Sequence, residues 1–278
     1  MHGVARVGMV LVFLALALSP GRAGDAATGD LIRAMQVERL VAVMAQEGLR
    51  YGAELRAELF PDQGGPRWDA AVRTIHAPDR MLALVADALA RGYAGNEAAA
   101  EVATGFFRSD LGQRIITLEL AAREALLDTA TKEAAEVALE DMRAGDPGRL
   151  ALIERFVRTN DLIESNVAGA LNANLAFYRG MIEGGAIDPS LSEQEMMADL
   201  WGQEDQVRAD TEGWIYPYLA LAYAPLGDGD LDAYIAFSAT TEGRALNTAL
   251  FAAFDALFAQ LSFDLGLAAA VFLQGQDL

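Results

Sequence analysis

The chain has 278 residues, 53% of them hydrophobic, and a formal net charge of -19. A surface this negative repels nucleic acid and anionic lipid head groups, so we expect no nucleic-acid partner. The sequence contains no cysteine, which excludes disulfides, zinc–thiolate sites and a cysteine nucleophile.

Residues 1–23 have the pattern of a secretory signal peptide. Arg6 supplies the positive charge, and the uncharged run at 7–18 supplies the apolar segment. We expect cleavage after Ala23, with Ala26 as the alternative, and a periplasmic protein without a membrane anchor. An uncleaved anchor is disfavoured because the run is shorter than the roughly 20 residues that a span needs. N-terminal sequencing of the exported protein tests this expectation.

The rest of the chain has the periodicity of helices. Apolar residues recur three or four positions apart, alanine and leucine are abundant, and no stretch alternates long enough for a strand. These patterns predict an all-α, multi-helix bundle. The predicted helices lie at about 31–59, 68–75, 78–91, 97–107, 110–142, 147–181, 231–237 and 241–272, and further helices follow a capping box at 192 as far as about 223, with a turn or kink at Pro217.

The run Gly145-Asp146-Pro147 is the clearest internal boundary, because aspartate can cap a helix and proline suits its first turn. The segments on either side resemble each other. In each, an aromatic residue is followed three positions later by a hydroxyl residue, and glycine stands three further on. The two copies consist of Phe106, Ser109 and Gly112, and of Phe237, Thr240 and Gly243. We therefore predict an internal duplication with halves at 24–144 and 145–278.

This repeated motif has the chemistry of a helix corner. Ser109 and Thr240 are predicted to cap the helices that follow them. Glycine three residues later permits a close backbone approach. Phe106 and Phe237 end the preceding helices, and their rings are predicted to fill the space at the turn between the two helices. We expect a structural role for the motif and no chemistry.

The run from Phe106 to Arg114 reads aromatic, aromatic, x, Ser, x, x, Gly, Gln, Arg. It resembles the signature of the bacterial domain-of-unknown-function family 2059. The second half departs from it, since Ser238 replaces the second aromatic residue. The resemblance implies an exported helical protein and brings no established activity.

Glu119 is the most unusual polar position, because it lies at the edge of an apolar stripe with Arg123 one helical turn further on. The corresponding residues in the second half are Leu250 and Phe254. One interpretation is an ion pair between Glu119 and Arg123 at the edge of the core. The other is a polar feature that lines a binding groove.

Asn166 and Asn174 belong to a stripe of small and polar residues, together with Gly169, Ala170 and Ala173. Such a stripe permits a close helix crossing, with asparagines that hydrogen-bond across it. It could instead face a partner or a ligand.

The sequence offers little support for a metal, a cofactor or a nucleophile. Asp228 to Asp232 imitates the start of a calcium loop, but Ala233 and Ala239 stand where glycine and glutamate are required. No Gly-x-Ser-x-Gly elbow occurs, and His76 has no serine partner in a recognisable motif. We predict no metal site and no cofactor.

We favour a binding or interaction module for a partner protein or an apolar ligand. The alternative is a carboxylate-dependent hydrolase acting on cell-envelope polymers, and the third possibility is a structural helper. A cleft with two carboxylates roughly 5–10 Å apart would favour the hydrolase. A broad apolar groove would favour the binding module.

Overall fold

The computed structural model describes residues 21–61, 65–187 and 202–274, and within these ranges the chain forms helices and no strand. The predicted all-α class is therefore confirmed. The helices are α1 Gly21–Ala34, α2 Val37–Leu59, α3 Gly65–Ile75, α4 Pro78–Gly92, α5 Glu97–Arg108, α6 Asp110–Ala125, α7 Thr129–Gly145, α8 Pro147–Thr159, α9 Leu162–Glu183, α10 Glu204–Tyr223, α11 Asp228–Ser238 and α12 Thr241–Leu273. Nearly all of the predicted leader, and the predicted start of a helix at 192, lie outside the described residues.

Side-chain caps fix where several of these helices begin. The Ser109 hydroxyl accepts from the Gly112 N–H at 3.1 Å, and the Thr240 hydroxyl accepts from the Gly243 N–H at 3.0 Å. Asp146 caps α8 in the same way, as the sequence predicted. Each cap supplies an acceptor for a backbone amide that the helix itself cannot satisfy.

Three predicted helices are interrupted in the structure. The predicted helix at 110–142 divides at 126–128, because Asp128 caps a new helix through the Thr131 N–H at 2.9 Å. The predicted helices at 31–59 and 147–181 each break at a residue in the left-handed region. Gln36 has φ 52° and Asp161 has φ 50°. Both breaks are local backbone choices that hydrophobic periodicity does not reveal.

The two left-handed residues occupy corresponding places in the two halves. Gln36 joins α1 to α2, and Asp161 joins α8 to α9. Left-handed backbone is uncommon for residues other than glycine, so its recurrence between two helix pairs supports the predicted relation between the halves. Duplication of the whole half stays a prediction.

The two copies of the corner motif meet inside the molecule. The rings of Phe106 and Phe237 stack face to face, with centroids 3.9 Å apart and planes 4° from parallel. A Cβ on Gly112 would lie 2.2 Å from the Phe106 carbonyl oxygen, and a Cβ on Gly243 would lie 2.1 Å from the Phe237 carbonyl oxygen. Each glycine therefore lets its helix start directly against the last turn of the preceding helix.

Two hydrophobic cores result, and both halves of the chain contribute to each. The first core combines α1–α5 with the apolar face of α12. Trp68 is fully buried there, and its indole N–H donates to the Gly52 carbonyl at 2.7 Å. The second core combines α6–α8 with α10 and α11. The halves therefore interleave, and α6 contributes side chains to both cores.

Helices α9 and α12 cross with their backbones in close approach. A Cβ on Gly180 would lie 2.2 Å from the Phe263 carbonyl oxygen, and a Cβ on Gly266 would lie 2.1 Å from the Phe177 carbonyl oxygen. Only glycine fits at such distances. The tightest crossing thus lies beyond the small-residue stripe at 166–174 that the sequence singled out.

Helix α12 is apolar enough and long enough to span a membrane by length and composition alone, the one such helix among the described residues. In the fold it packs along α9 and against α4 and α5. A central core helix passes the same test of length and hydropathy. The absence of a membrane span after leader cleavage stays a prediction.

Candidate functional site

A cavity of about 190 Å³ opens where the two halves meet. Its walls come from the turn before α2 and from α2, α6, α10, α11 and α12. Most of the lining is apolar, and four residues bring polar groups. The apolar residues are Met35, Val37, Leu40, Ile116, Leu120, Leu250 and Phe254; the polar ones are Glu119, Arg123, Tyr218 and Tyr234.

The Glu119 carboxyl group is held by tyrosines. The Tyr223 hydroxyl donates to Glu119 Oε1 at 2.7 Å, and the Tyr234 hydroxyl lies near enough to the carboxyl group to lower its pKa. The Tyr218 hydroxyl donates to the Glu119 backbone carbonyl oxygen at 3.3 Å. Glu119 is partly buried, with its remaining surface on the cavity. The carboxyl group is thus fixed in orientation and accessible to a small molecule in the cavity.

Burial raises the pKa of Glu119 to about 7, although the hydrogen bonds from Tyr223 and Tyr234 lower it in part. Burial also raises the pKa of both tyrosines well above the ordinary value, and the nearby Glu119 charge adds to the effect. The tyrosines therefore remain protonated donors. Near neutral pH the carboxyl group populates both its neutral and its ionised form.

Arg123 pairs with Glu47 of α2 and not with Glu119. Its Nε donates to Glu47 Oε1 at 2.9 Å, and its Nη2 donates to Glu47 Oε2 at 2.7 Å. The guanidinium carbon also lies 5.5 Å from the Trp214 ring centroid. The predicted ion pair between Glu119 and Arg123 is not formed, because the Glu47 carboxylate accepts two hydrogen bonds from the guanidinium instead. Removing Glu119 therefore leaves the guanidinium with its partner.

Corresponding positions of the two halves line the same cavity. Glu119 and Arg123 contribute from α6, and their sequence counterparts Leu250 and Phe254 contribute from α12. The comparison of the two halves thus identified four residues that the fold brings together. It had predicted a contact only within one helix, between Glu119 and Arg123. The groove interpretation of Glu119 fits this arrangement better than the ion-pair interpretation.

A tyrosine of the second half, Tyr223, reaches the Glu119 carboxyl group of the first half, whereas Tyr93 of the first half has no such partner among the described residues. Tyr93 is the residue directly after α4, and Tyr223 is the last residue of α10. The rings of both tyrosines are fully buried. The Tyr93 hydroxyl has no hydrogen-bond partner among the described residues, and burial raises the pKa of Tyr93 to about 12. The preceding residue, Gly92, abuts α12 at Ala249, beside Leu250. Leu250 corresponds in sequence to Glu119 and has no polar group. The Tyr93 hydroxyl therefore lacks the carboxyl acceptor that the Tyr223 hydroxyl has.

Sequence reasoning missed Glu47 and the three tyrosines. Tyr218, Tyr223 and Tyr234 all lie within one span of 17 residues, from 218 to 234. A buried tyrosine hydroxyl usually finds an acceptor, so this concentration was the available signal. The contact of Glu47 with Arg123 joins residues 76 positions apart, which no local pattern reveals.

The two asparagine candidates lie away from this cavity. Asn166 is exposed, donates to the Leu162 carbonyl of its own helix at 2.7 Å and lines a separate cavity beside Trp214. Asn174 is partly buried on the same helix. The structure does not bring either residue to Glu119, and a binding role for them stays a prediction.

The calcium-like run forms the first turn of α11, where its three aspartates each face a different arginine. Arg149 donates to Asp228, Arg114 to Asp230 and Arg155 to Asp232. The carboxylates are thus spread around the helix and do not converge. Among the described residues, no group of three or more histidine, aspartate or glutamate side chains is placed to hold a metal ion.

The fold and the cavity define the class: an all-α protein with a tyrosine-held glutamate in the wall of an apolar cavity between interleaved halves. Residues 79–141, from α4 to α7, match the family described as uncharacterized protein conserved in bacteria (DUF2059). This match confirms the resemblance inferred from the motif at 106–114, and it includes Glu119 and Arg123. No curated protein and no solved structure matches the chain.

Proposed function

We propose that this protein binds a small apolar molecule in the Glu119 cavity. The observation that carries the proposal is a single carboxyl group, fixed by tyrosines, in the wall of an otherwise apolar cavity. Sites for small molecules commonly combine an apolar lining with a few oriented polar groups. Glu119 would orient the ligand, and the aliphatic and aromatic walls would supply most of the affinity.

The size of the cavity favours a small molecule over a folded partner. At about 190 Å³ it exceeds the roughly 150 Å³ of an engineered apolar cavity that binds benzene. A ring with one polar substituent, or a short branched chain, fits this volume. A flat protein interface would instead need a contiguous exposed apolar patch.

The geometry favours binding over hydrolysis. A carboxylate-dependent hydrolase requires a second carboxyl group free to act as base or nucleophile. Among the described residues, Glu119 is the one carboxyl group in the lining, and Glu47 reaches the lining residue Arg123, from which both of its oxygens accept. An ionised group held in this way is poorly placed to attack a substrate or to take up its proton.

The predicted leader supports a place of action in the periplasm. The chain's net charge of -19 is compatible with ligands that are neutral or cationic. We therefore propose an exported binding protein that meets its ligand outside the cytoplasm.

Benzyl alcohol is a suitable probe of the cavity, because it joins one ring to one hydroxyl group. We expect it to bind the full chain with a Kd in the millimolar range or tighter, as suits a ligand of this size. Leu250→Trp would fill the cavity and weaken binding more than tenfold. The milder Leu250→Phe should have a smaller effect in the same direction. Protein-observed NMR titration measures each Kd.

Leu273→Trp is the matched control, since it places the same side chain at an exposed position of the same helix. It should bind benzyl alcohol like the natural protein. If Leu250→Trp is folded by circular dichroism and also binds like the natural protein, the ligand does not occupy this cavity and the proposal fails.

A further inference from the structure

We propose that the ligand of this cavity carries an ammonium group, held between the Glu119 carboxylate and the rings of Tyr218, Tyr234 and Phe254. This inference rests on the proposed binding function and adds the charge of the ligand. Three features of the described residues support it: the balance of charge, the aromatic walls and the free acceptor capacity of the carboxylate.

With Glu119 ionised, the carboxylates of Glu119 and of Glu47, which pairs with Arg123, exceed the single guanidinium of Arg123 by one negative charge. Arg123 is the only cationic side chain among the described residues that line it. Both donor groups of Arg123 that face Glu47 are already engaged, at 2.9 and 2.7 Å. Glu119 is held only by uncharged hydroxyl groups, so its ionised form has no cation beside it. A cationic ligand would supply the missing charge.

The aromatic walls add a second attraction for a cation. Tyr218 comes from α10, Tyr234 from α11 and Phe254 from α12, so the rings reach the cavity from three helices. Tyr234 is fixed by stacking on Phe106, with centroids 5.8 Å apart. Ammonium groups bind the faces of such rings, and the attraction strengthens when water is excluded. The apolar residues around them accommodate the substituents of the amine.

The carboxylate retains room to accept from such a ligand. An ionised carboxylate offers about four acceptor positions. Tyr223 uses one of them at 2.7 Å, which leaves others for an ammonium N–H directed from the cavity. Because burial raises the pKa of Glu119 to about 7, an ammonium ligand would displace a proton to solvent when it binds at lower pH.

Binding of the amine should therefore strengthen as Glu119 ionises. The ionised fraction rises from about one tenth at pH 6 to about nine tenths at pH 8, which corresponds to a roughly tenfold gain in affinity. The other titratable or charged groups that face Glu119 are Tyr218, Tyr223, Tyr234 and Arg123 with its partner Glu47. The tyrosines stay neutral in this range, because burial raises their pKa well above the ordinary value.

The test compares benzylamine with benzyl alcohol, two probes of the same size that differ in one charged group. At pH 8 benzylamine should bind the natural protein at least tenfold more tightly than benzyl alcohol. Its affinity should rise about tenfold from pH 6 to pH 8, whereas that of benzyl alcohol should not rise. Glu119→Gln should reduce the preference for the amine to near one.

Glu101→Gln is the matched control, because Glu101 is exposed on α5 and does not line the cavity. It should keep the full preference. Equal binding of the two probes by the natural protein, or tighter binding of benzoate, would overturn the ammonium inference and leave the proposed binding function standing. Failure of every probe to bind would overturn both.

Discussion

Gly180→Ala is expected to destabilise the protein by about 3 kcal/mol, at the upper end of the usual cost of overpacking. The added Cβ would lie 2.2 Å from the Phe263 carbonyl oxygen and 2.7 Å from the Leu267 backbone nitrogen. Both contacts are with backbone, which cannot rotate away as a side chain can. Helices α9 and α12 must therefore separate. Urea unfolding followed by circular dichroism measures the loss.

Gly169→Ala is the control on the same helix. Its Cβ would meet only Asp255 Oδ1, at an ordinary distance of 3.7 Å. Alanine is a better helix former than glycine, so this variant should be unchanged or stabilised by up to about 1 kcal/mol. If both variants were stabilised alike, the close crossing of α9 and α12 would not exist in solution.

Glu119→Gln is expected to stabilise the protein at alkaline pH and to have little effect near pH 5. The pKa of Glu119 is about 7 in the folded protein and 4.5 without the fold. Between these values the folded state binds more protons than the unfolded state, so the natural protein loses stability as pH rises through this window. Glutamine keeps an acceptor for Tyr223 and does not ionise.

The difference in unfolding free energy between Glu119→Gln and the natural protein should therefore grow from pH 5 to pH 8, towards about 3 kcal/mol. Glu101→Gln should show no such growth, because that side chain is exposed. Stability measured by urea unfolding at several pH values gives both curves. A difference that stays constant from pH 5 to pH 8 would mean that Glu119 ionises at its ordinary pKa.

Local sequence signals predicted several helix boundaries because their causes are local. A serine or threonine cap followed three positions later by glycine marks the starts of α6 and α12, and Asp146 marks that of α8. Asp128 is also a capping residue, but the sequence did not predict a helix start there, because the apolar pattern continues through this position. The break at Gln36 is a local left-handed backbone conformation that glutamine does not announce, because residues other than glycine rarely adopt it.

The candidate site was predictable only in part. Comparison of the halves singled out Glu119 and Arg123, because apolar residues replace both in the second half. The partner of Arg123 was predicted wrongly, since short spacing on a helix favours the pair at i and i+4. The choice of Glu47 and of the tyrosines depends on contacts between elements 76 or more residues apart. The two halves interleave in the fold, which brings Leu250 into the same cavity. The sequence did not indicate this arrangement.

Carbon-13 NMR of protein labelled at the glutamate carboxyl carbons tests the central claim most directly. Glu119→Gln identifies the resonance of Glu119 by its disappearance. We expect that resonance to titrate with a midpoint near pH 7, and to shift when benzyl alcohol is added. If the Glu119 resonance titrates near the ordinary value of 4.5 and does not respond to the probe, Glu119 does not lie in a ligand-binding cavity, and the account is contradicted.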